Sequence, residues 1–157
     1  MKSNCLVVAA VLTLVLLPGY GRATAQVMQN LRETQWSAAP PFLPPGAKMA
    51  VLQGNPGAAE LYTIRLWFPA NYKIPAHSHP TDEHVTVLSG TLYAGKGDKL
   101  EPQGGTALAV GGFALMPAGM NHYAYTKKAT TILLHGMGPV EFNYVNPADD
   151  PRNAGKK

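Results

Sequence analysis

His77 and His79 stand two residues apart in Ala76-His-Ser-His-Pro-Thr-Asp-Glu83, and a third histidine, His122, follows Pro117-Ala-Gly119. On an extended strand, residues i and i+2 point to one face of the sheet, so these two imidazoles are presented together. Glu83 keeps the parity of His79, and a second strand can carry His122 across to meet them. Three imidazoles and one carboxylate converging in this way make a site for one divalent transition metal, with positions left open for water or substrate. Fe, Mn, Zn, Ni and Cu all suit such a ligand set, and the set does not choose among them. On an octahedral ion two adjacent positions stay free, which suits a bidentate enol, catechol or oxo-acid, or dioxygen at one of them. Glu83 is then also a catalytic candidate, as a carboxylate able to loosen and act as a base.

The remaining candidates depend on which way their strands face. His84 adjoins Glu83 and is expected on the opposite face, towards the exterior or a partner subunit. His135 closes Thr131-Ile-Leu-Leu-His135; it either reaches into the cavity as a proton-transfer or substrate-pocket group or packs as a core histidine. Arg65 and Trp67 share one face of Leu61–Phe68. Facing inward, Arg65 would bind an anionic substrate and Trp67 would wall the pocket; facing outward, both are ordinary sheet-surface residues. Phe113, Leu115 and Met116 read as core.

The elements that must position these residues are short. Apolar or alternating runs occur at Lys48–Gln53, Leu61–Phe68, His84–Leu88, Thr91–Ala94, Tyr123–Thr126, Thr130–His135 and Val140–Tyr144. Gly54-Asn-Pro-Gly57, Pro69-Ala-Asn-Tyr72, Ser89-Gly90, Gly95-Lys-Gly-Asp98, Gly104-Gly105 and Gly111-Gly112 separate them. No segment offers a helical period of useful length, so the expected class is all-β, a sandwich or barrel.

Both ends read differently from the middle. A basic start, an apolar run from Cys5 to Leu17 and Ala23-Thr-Ala25 spell a cleavable export signal over residues 1–25. The apolar run is too short for a comfortable membrane span, so no stable membrane anchor is expected and the mature chain is read as periplasmic or secreted. Cys5 is the one cysteine of the 157 residues, so the mature chain has no disulfide and no thiolate ligand. Losing Lys2 and Arg22 takes the formal charge from +4 to about +2, and no cluster suggests nucleic-acid binding. Residues 26–46 hold Ala39-Pro-Pro-Phe-Leu-Pro-Pro-Gly46 and read as a Pro-rich arm pinned by Trp36 and Phe42. Residues 146–157 read as a flexible tail.

The spacings His77-x-His79-x3-Glu83-x6-Gly90 and Gly111-x5-Pro117-x-Gly119-x2-His122 resemble the two signature motifs of the cupin superfamily. Two positions depart from the pattern. Asn71 stands where the first motif has a glycine, a position Asn fills by taking positive φ. Thr126 stands where the second often has an asparagine. The resemblance implies a double-stranded β-helix, a jelly-roll barrel over residues 47–145, with His77, His79, Glu83 and His122 as the metal ligands. Gly90 and Gly119 would occupy turns of positive φ. It also implies a homodimer that exchanges N-terminal arms. The expected function is that of a metal-dependent small-molecule enzyme, a dioxygenase-type oxidoreductase first, or an isomerase or lyase on the same metal. The alternative is a non-catalytic metal or small-ligand binding protein, because one fold hosts many activities.

Overall fold

Alternation along Leu61–Phe68 sets the architecture: Tyr62, Ile64, Leu66 and Phe68 are buried against the core, and Leu61, Thr63 and Trp67 are not. The computed structural model describes residues 26–155, so the expected signal segment lies outside the described residues. The strands are β1 (Ser37–Ala38), β2 (Lys48–Gln53), β3 (Leu61–Phe68), β4 (Lys73–Ser78), β5 (Glu83–Ser89) and β6 (Leu92–Lys96), followed by β7 (Thr106–Leu108), β8 (Phe113–Met116), β9 (His122–Thr126), β10 (Thr130–Met137) and β11 (Asn143–Tyr144). They pair antiparallel into a six-stranded sheet ordered β1-β2-β3-β10-β5-β8 and a five-stranded sheet ordered β11-β4-β9-β6-β7. This is the all-β jelly roll expected. Helical structure among the described residues is limited to three 3₁₀ turns, and no helix there is long and apolar enough to cross a membrane.

The core fills the space between the sheets. Ile64, Leu66, Phe68, Val85, Val87, Ile132 and Leu134 come from the larger sheet, and Ile74, Leu92, Ala94 and Ala124 from the smaller. Burying a side chain such as Phe68 or Val87, each 1 % exposed, stabilises the fold by roughly 1.5–3 kcal/mol. On β8 only Ala114 and Met116 turn inward. Phe113 and Leu115, expected in the core, are 55 % and 44 % exposed on the outer face. The pleat sends alternate residues to opposite faces whatever their polarity.

Strand β4 escapes a reading by alternation because Pro75 interrupts it. Proline cannot donate to the ladder, and the β4–β9 register shifts between Ile74 and His77. The turn into β4 is where both departures from the superfamily pattern meet. Asn71 is the one non-glycine described residue with positive φ, 59°. The Thr126 hydroxyl accepts from Tyr72 N and donates to Pro69 O, while Thr126 N donates to Tyr72 O. Gly90 and Gly119 have φ of 76° and 73°, as expected. A Cβ at Gly90 would also lie 2.5 Å from Ala129 O.

The arm lies on the barrel of its own chain. β1 pairs with β2, Leu43 is buried in the core, and Phe42 stacks on Phe142 at 4.8 Å; Trp36 is half-buried. The segment expected to be a flexible tail instead folds back in two 3₁₀ turns, Pro147–Asp149 and Pro151–Asn153, started by Asn146 and Asp150 caps. Arg152 straps it down by donating to Phe142 O at 2.8 Å.

Candidate metal centre

His77 near the end of β4 and His122 at the start of β9 are direct cross-strand partners, and their rings lie 4.3 Å apart. His79 follows β4 by one residue, its ring 4.9 Å from His77 and 5.1 Å from His122. All three are buried. Glu83 does not share their strand. The chain turns over residues 79–82, and Glu83 opens β5 in the opposite sheet. It is therefore the turn, and not strand parity, that delivers the carboxylate. That turn is sewn to the second motif: Gly119 N donates to His79 O, and Ala118 N donates to Asp82 Oδ1. Glu83 Oε1 lies 3.5 Å from His79 Nε2, and Oε2 lies 3.8 Å from His122 Nε2.

The outward ring nitrogens fix the tautomers. His77 Nδ1 lies 2.7 Å from Pro75 O, His79 Nδ1 2.7 Å from Glu141 O, and His122 Nδ1 3.0 Å from Met120 O. A carbonyl oxygen only accepts, so each Nδ1 carries the proton and each Nε2 keeps its lone pair. Ligand atoms of the three histidines all lie within 4.8 Å of one another, a spacing that can hold a metal ion. His79 Nε2 is buried with no hydrogen-bond partner, which is unfavourable for a polar atom unless something else engages it. Neutral imidazoles oriented by backbone carbonyls are what a metal requires of its ligands. On these grounds the donor set fits one divalent transition ion.

The electrostatics agree. Burial holds the His77 imidazolium well below its usual range, and the neighbouring His122 and His79 push it further down. Burial also lowers His79 and His122, with the carbonyl bonds to Glu141 and Met120 opposing. Burial raises Glu83 to about 6, against the pull of His122. At neutral pH the histidines are thus neutral and Glu83 is ionised.

The other candidates are not brought here. Because Tyr62, Ile64, Leu66 and Phe68 face inward, Arg65 and Trp67 lie on the outer face of β3. Arg65 is buried beneath the arm, donating to Thr34 Oγ1, Asn30 O and Gln29 O, and Trp67 packs under Lys48. Neither lines a pocket with the histidines. His135 is also outside, since Leu134 takes the inward position. It pairs with His84 across β5 and β10, the rings stacked at 4.9 Å and 5°. His84 faces out as expected; the inward role for His135 is corrected.

What the motifs did not reveal is the wall beside the centre. A cavity of about 170 Å³ runs between the sheets, walled by Phe42, Met49, Ile64, Leu66, Leu134 and Phe142, with Glu83 its one ionisable lining residue. Phe142 stacks on His77 at 4.4 Å and meets His79 edge-on at 4.6 Å. Its place in Val140–Tyr144 was legible, but its proximity to histidines some sixty residues earlier was not.

Comparison with known proteins places the fold. Residues 24–141 match the family described as the ChrR cupin-like domain. A putative acetylacetone dioxygenase from Methylibium petroleiphilum superposes with a TM-score of 0.62 at 17 % identity, over 83 % of this chain and 88 % of that one. The polyketide cyclase RemF from Streptomyces resistomycificus gives 0.64 at 15 %, over 85 % and 94 %. An acetylacetone dioxygenase from Acinetobacter johnsonii gives 0.62 at 15 %, over 83 % and 85 %. No curated protein matches the sequence. With two motifs in register, a jelly roll around them and a family match across most of the described barrel, the chain belongs to the ChrR cupin-like family of the cupin superfamily.

Proposed function

We infer that this chain is an exported cupin that holds one divalent transition metal through His77, His79, His122 and Glu83 and acts on a small molecule, dioxygenase-type oxidation being the leading reaction. The observation that carries this reading is the set of three Nδ1–carbonyl contacts that leave three Nε2 lone pairs converging beside a carboxylate. A bound metal of this kind supplies Lewis acidity or, if redox-active, an electron path to dioxygen. The chain supplies the rest. Phe142 and the apolar wall offer water no polar side chain beside the centre other than Glu83, and Glu83 is positioned to take or return a proton at a carboxylate oxygen. Two of the similar folds bear the name acetylacetone dioxygenase and one polyketide cyclase, which supports a small-molecule enzyme without fixing its chemistry.

A redox-neutral isomerase or lyase is favoured by one specific feature. Glu83 is the one ionisable residue lining the cavity beside the histidines, placed to act as a base towards a molecule held there. Non-catalytic binding of a small ligand is the remaining alternative. Export rests on the basic start, the apolar run from Cys5 to Leu17 and Ala23-Thr-Ala25. A second copy of the chain is the expected partner on the outer face of β5, β8 and β10. Phe113, Leu115 and Met137 are exposed there, and Glu83, the one charged residue of these strands, points inward, so two such faces meet without like charges.

Metal analysis of the purified mature protein tests the reading. About one divalent ion per chain is expected, lost when His77 and His79 are both replaced by alanine. No metal in the unaltered protein would end the mechanism. Oxygen uptake with diketones and catechols on the loaded protein then separates oxidation from the redox-neutral alternative, and light scattering of Phe113→Asp reports on self-association.

A further inference from the structure

We propose that the cavity beside the centre selects a small, uncharged and predominantly apolar molecule, one ring or a short branched chain in size, with any polar group confined to the end facing Glu83 and the histidines. This rests on the reading of the centre as a metal site that faces its substrate.

The lining carries the argument. Twelve residues form it, and Glu83 is the only one among them with an ionisable or hydrogen-bonding side chain. The rest are proline, glycine, aliphatic, methionine or phenylalanine. A hydroxylated ligand such as a sugar would leave its bonds to water with nothing to replace them, and unpaired polar groups are unfavourable in such a place. An anionic body would find no cation. Arg65, the residue that could have served, faces the other side of β3 and is engaged by Asn30, Gln29 and Thr34. The size is small as well. A dry cavity of about 150 Å³ lined by aliphatic and aromatic side chains takes up benzene, and this one measures about 170 Å³.

The cavity also has a mouth and an inner end. Gly57 is exposed, and Pro40, Phe42, Pro56 and Val140 are half-buried, which opens one side to solvent. Leu43, Ile64, Leu66, Leu134 and Phe142 are buried. Phe142 belongs to both the wall and the histidine cluster, so a molecule resting against it is beside the centre. The arm supplies Phe42 and Leu43, so the part of the chain outside the barrel proper completes the site.

Toluene and cyclohexanone serve as apolar probes, D-xylose as a polyol of similar size, and succinate as a small anion. Binding to the purified protein is followed by the methyl NMR signals of Met49, Leu66 and Leu134. Saturable shifts are expected with toluene and cyclohexanone, and none with xylose or succinate at concentrations about tenfold higher. Val140→Trp and Met49→Phe, which narrow the cavity from two sides, should each abolish the toluene shifts while the metal content stays unchanged. Shifts from xylose or succinate at equal concentration, or toluene shifts untouched by both variants, overturn the proposal, as does no response to toluene. Metal analysis of the same samples keeps the two readings apart. Toluene binding without metal removes the reading of the centre but upholds the cavity's preference; metal without toluene binding does the reverse.

Discussion

Phe142 lies flat on the His77 imidazole, ring centroids 4.4 Å apart and planes within 14° of parallel. It also stacks on Phe42 of the arm, and its carbonyl accepts from Arg152 of the folded-back tail. One residue therefore joins the histidine cluster, the cavity wall and the arm through its ring, and the folded-back tail through its carbonyl. The backbone around it is engaged too, since the carbonyl of Glu141, one residue earlier, orients His79.

Phe142→Ala is accordingly expected to act on stability and on metal binding together. Removing a buried phenylalanine costs about 3–5 kcal/mol, and loosening the support of a ligating imidazole weakens metal affinity by about 10–100-fold. Phe142→Leu should recover part of the stability and less of the affinity, because it fills space without stacking. Denaturant titration and competition with a metal chelator measure the two effects. Equal recovery of both by leucine would mean that the ring acts only by filling volume.

Arg65→Met tests the outward placement of that side chain. The variant keeps most of the aliphatic volume and loses the guanidinium bonds to Gln29, Asn30 and Thr34. A loss of roughly 1–3 kcal/mol is expected, on the scale of hydrogen bonds to a charged group, along with faster proteolysis within residues 26–36. Metal content and small-molecule binding should not change. A selective loss of ligand binding would return Arg65 to the pocket.

The reach and the limit of sequence reading have physical causes here. His77 and His79 were legible as a pair because residues two apart on an extended segment share a face, a local property that holds although Pro75 breaks the alternation just before them. Glu83 was found by its spacing, although the reason is a turn that carries it into the other sheet. Inside and outside of β3, β8 and β10 were not legible, because both faces carry apolar residues: Ile64 and Leu66 beside Trp67, Met116 beside Phe113 and Leu115. Deciding a strand's face from pattern needs one face to be polar. The cavity was hidden for another reason. Phe42 and Phe142, which stack in its wall, are a hundred residues apart, and nothing local links them.

Thr126 and Asn71 both shape the turn into β4, and substitutions can separate their contributions. Thr126→Val keeps the shape but removes the hydroxyl shared by Tyr72 N and Pro69 O. With Thr126 buried, that loss is expected to cost about 1–3 kcal/mol. Asn71→Gly relieves a non-glycine residue at φ 59° and should be neutral to mildly stabilising. Asn71→Val, a branched residue forced into the same conformation, should destabilise. Thermal unfolding of the three variants orders them; a stabilising Asn71→Val would refute the strained-turn account.

Acidification should destabilise the chelator-stripped protein from about pH 6.5 downward. His77, His79 and His122 all have lowered values in the folded chain. Between those values and the unfolded one the unfolded chain binds more protons, so stability is lost as the pH falls through the folded values. Glu83 works in the opposite sense. It is raised from 4.5 to about 6, so its contribution is fully present below 4.5 and is lost as the pH rises through about 6. Three groups of one sign against one of the other leave a net loss in acid. Glu83→Gln isolates the smaller effect. The stripped variant should be more stable than its parent above pH 6, by about 2 kcal/mol for a shift of that size, with the advantage gone below 4.5. Bound metal keeps the imidazoles deprotonated and should move the acid transition of the parent to lower pH. Denaturant midpoints measured from pH 4 to 8, with and without chelator, give both curves; coincident curves would mean that no ion is held by these side chains.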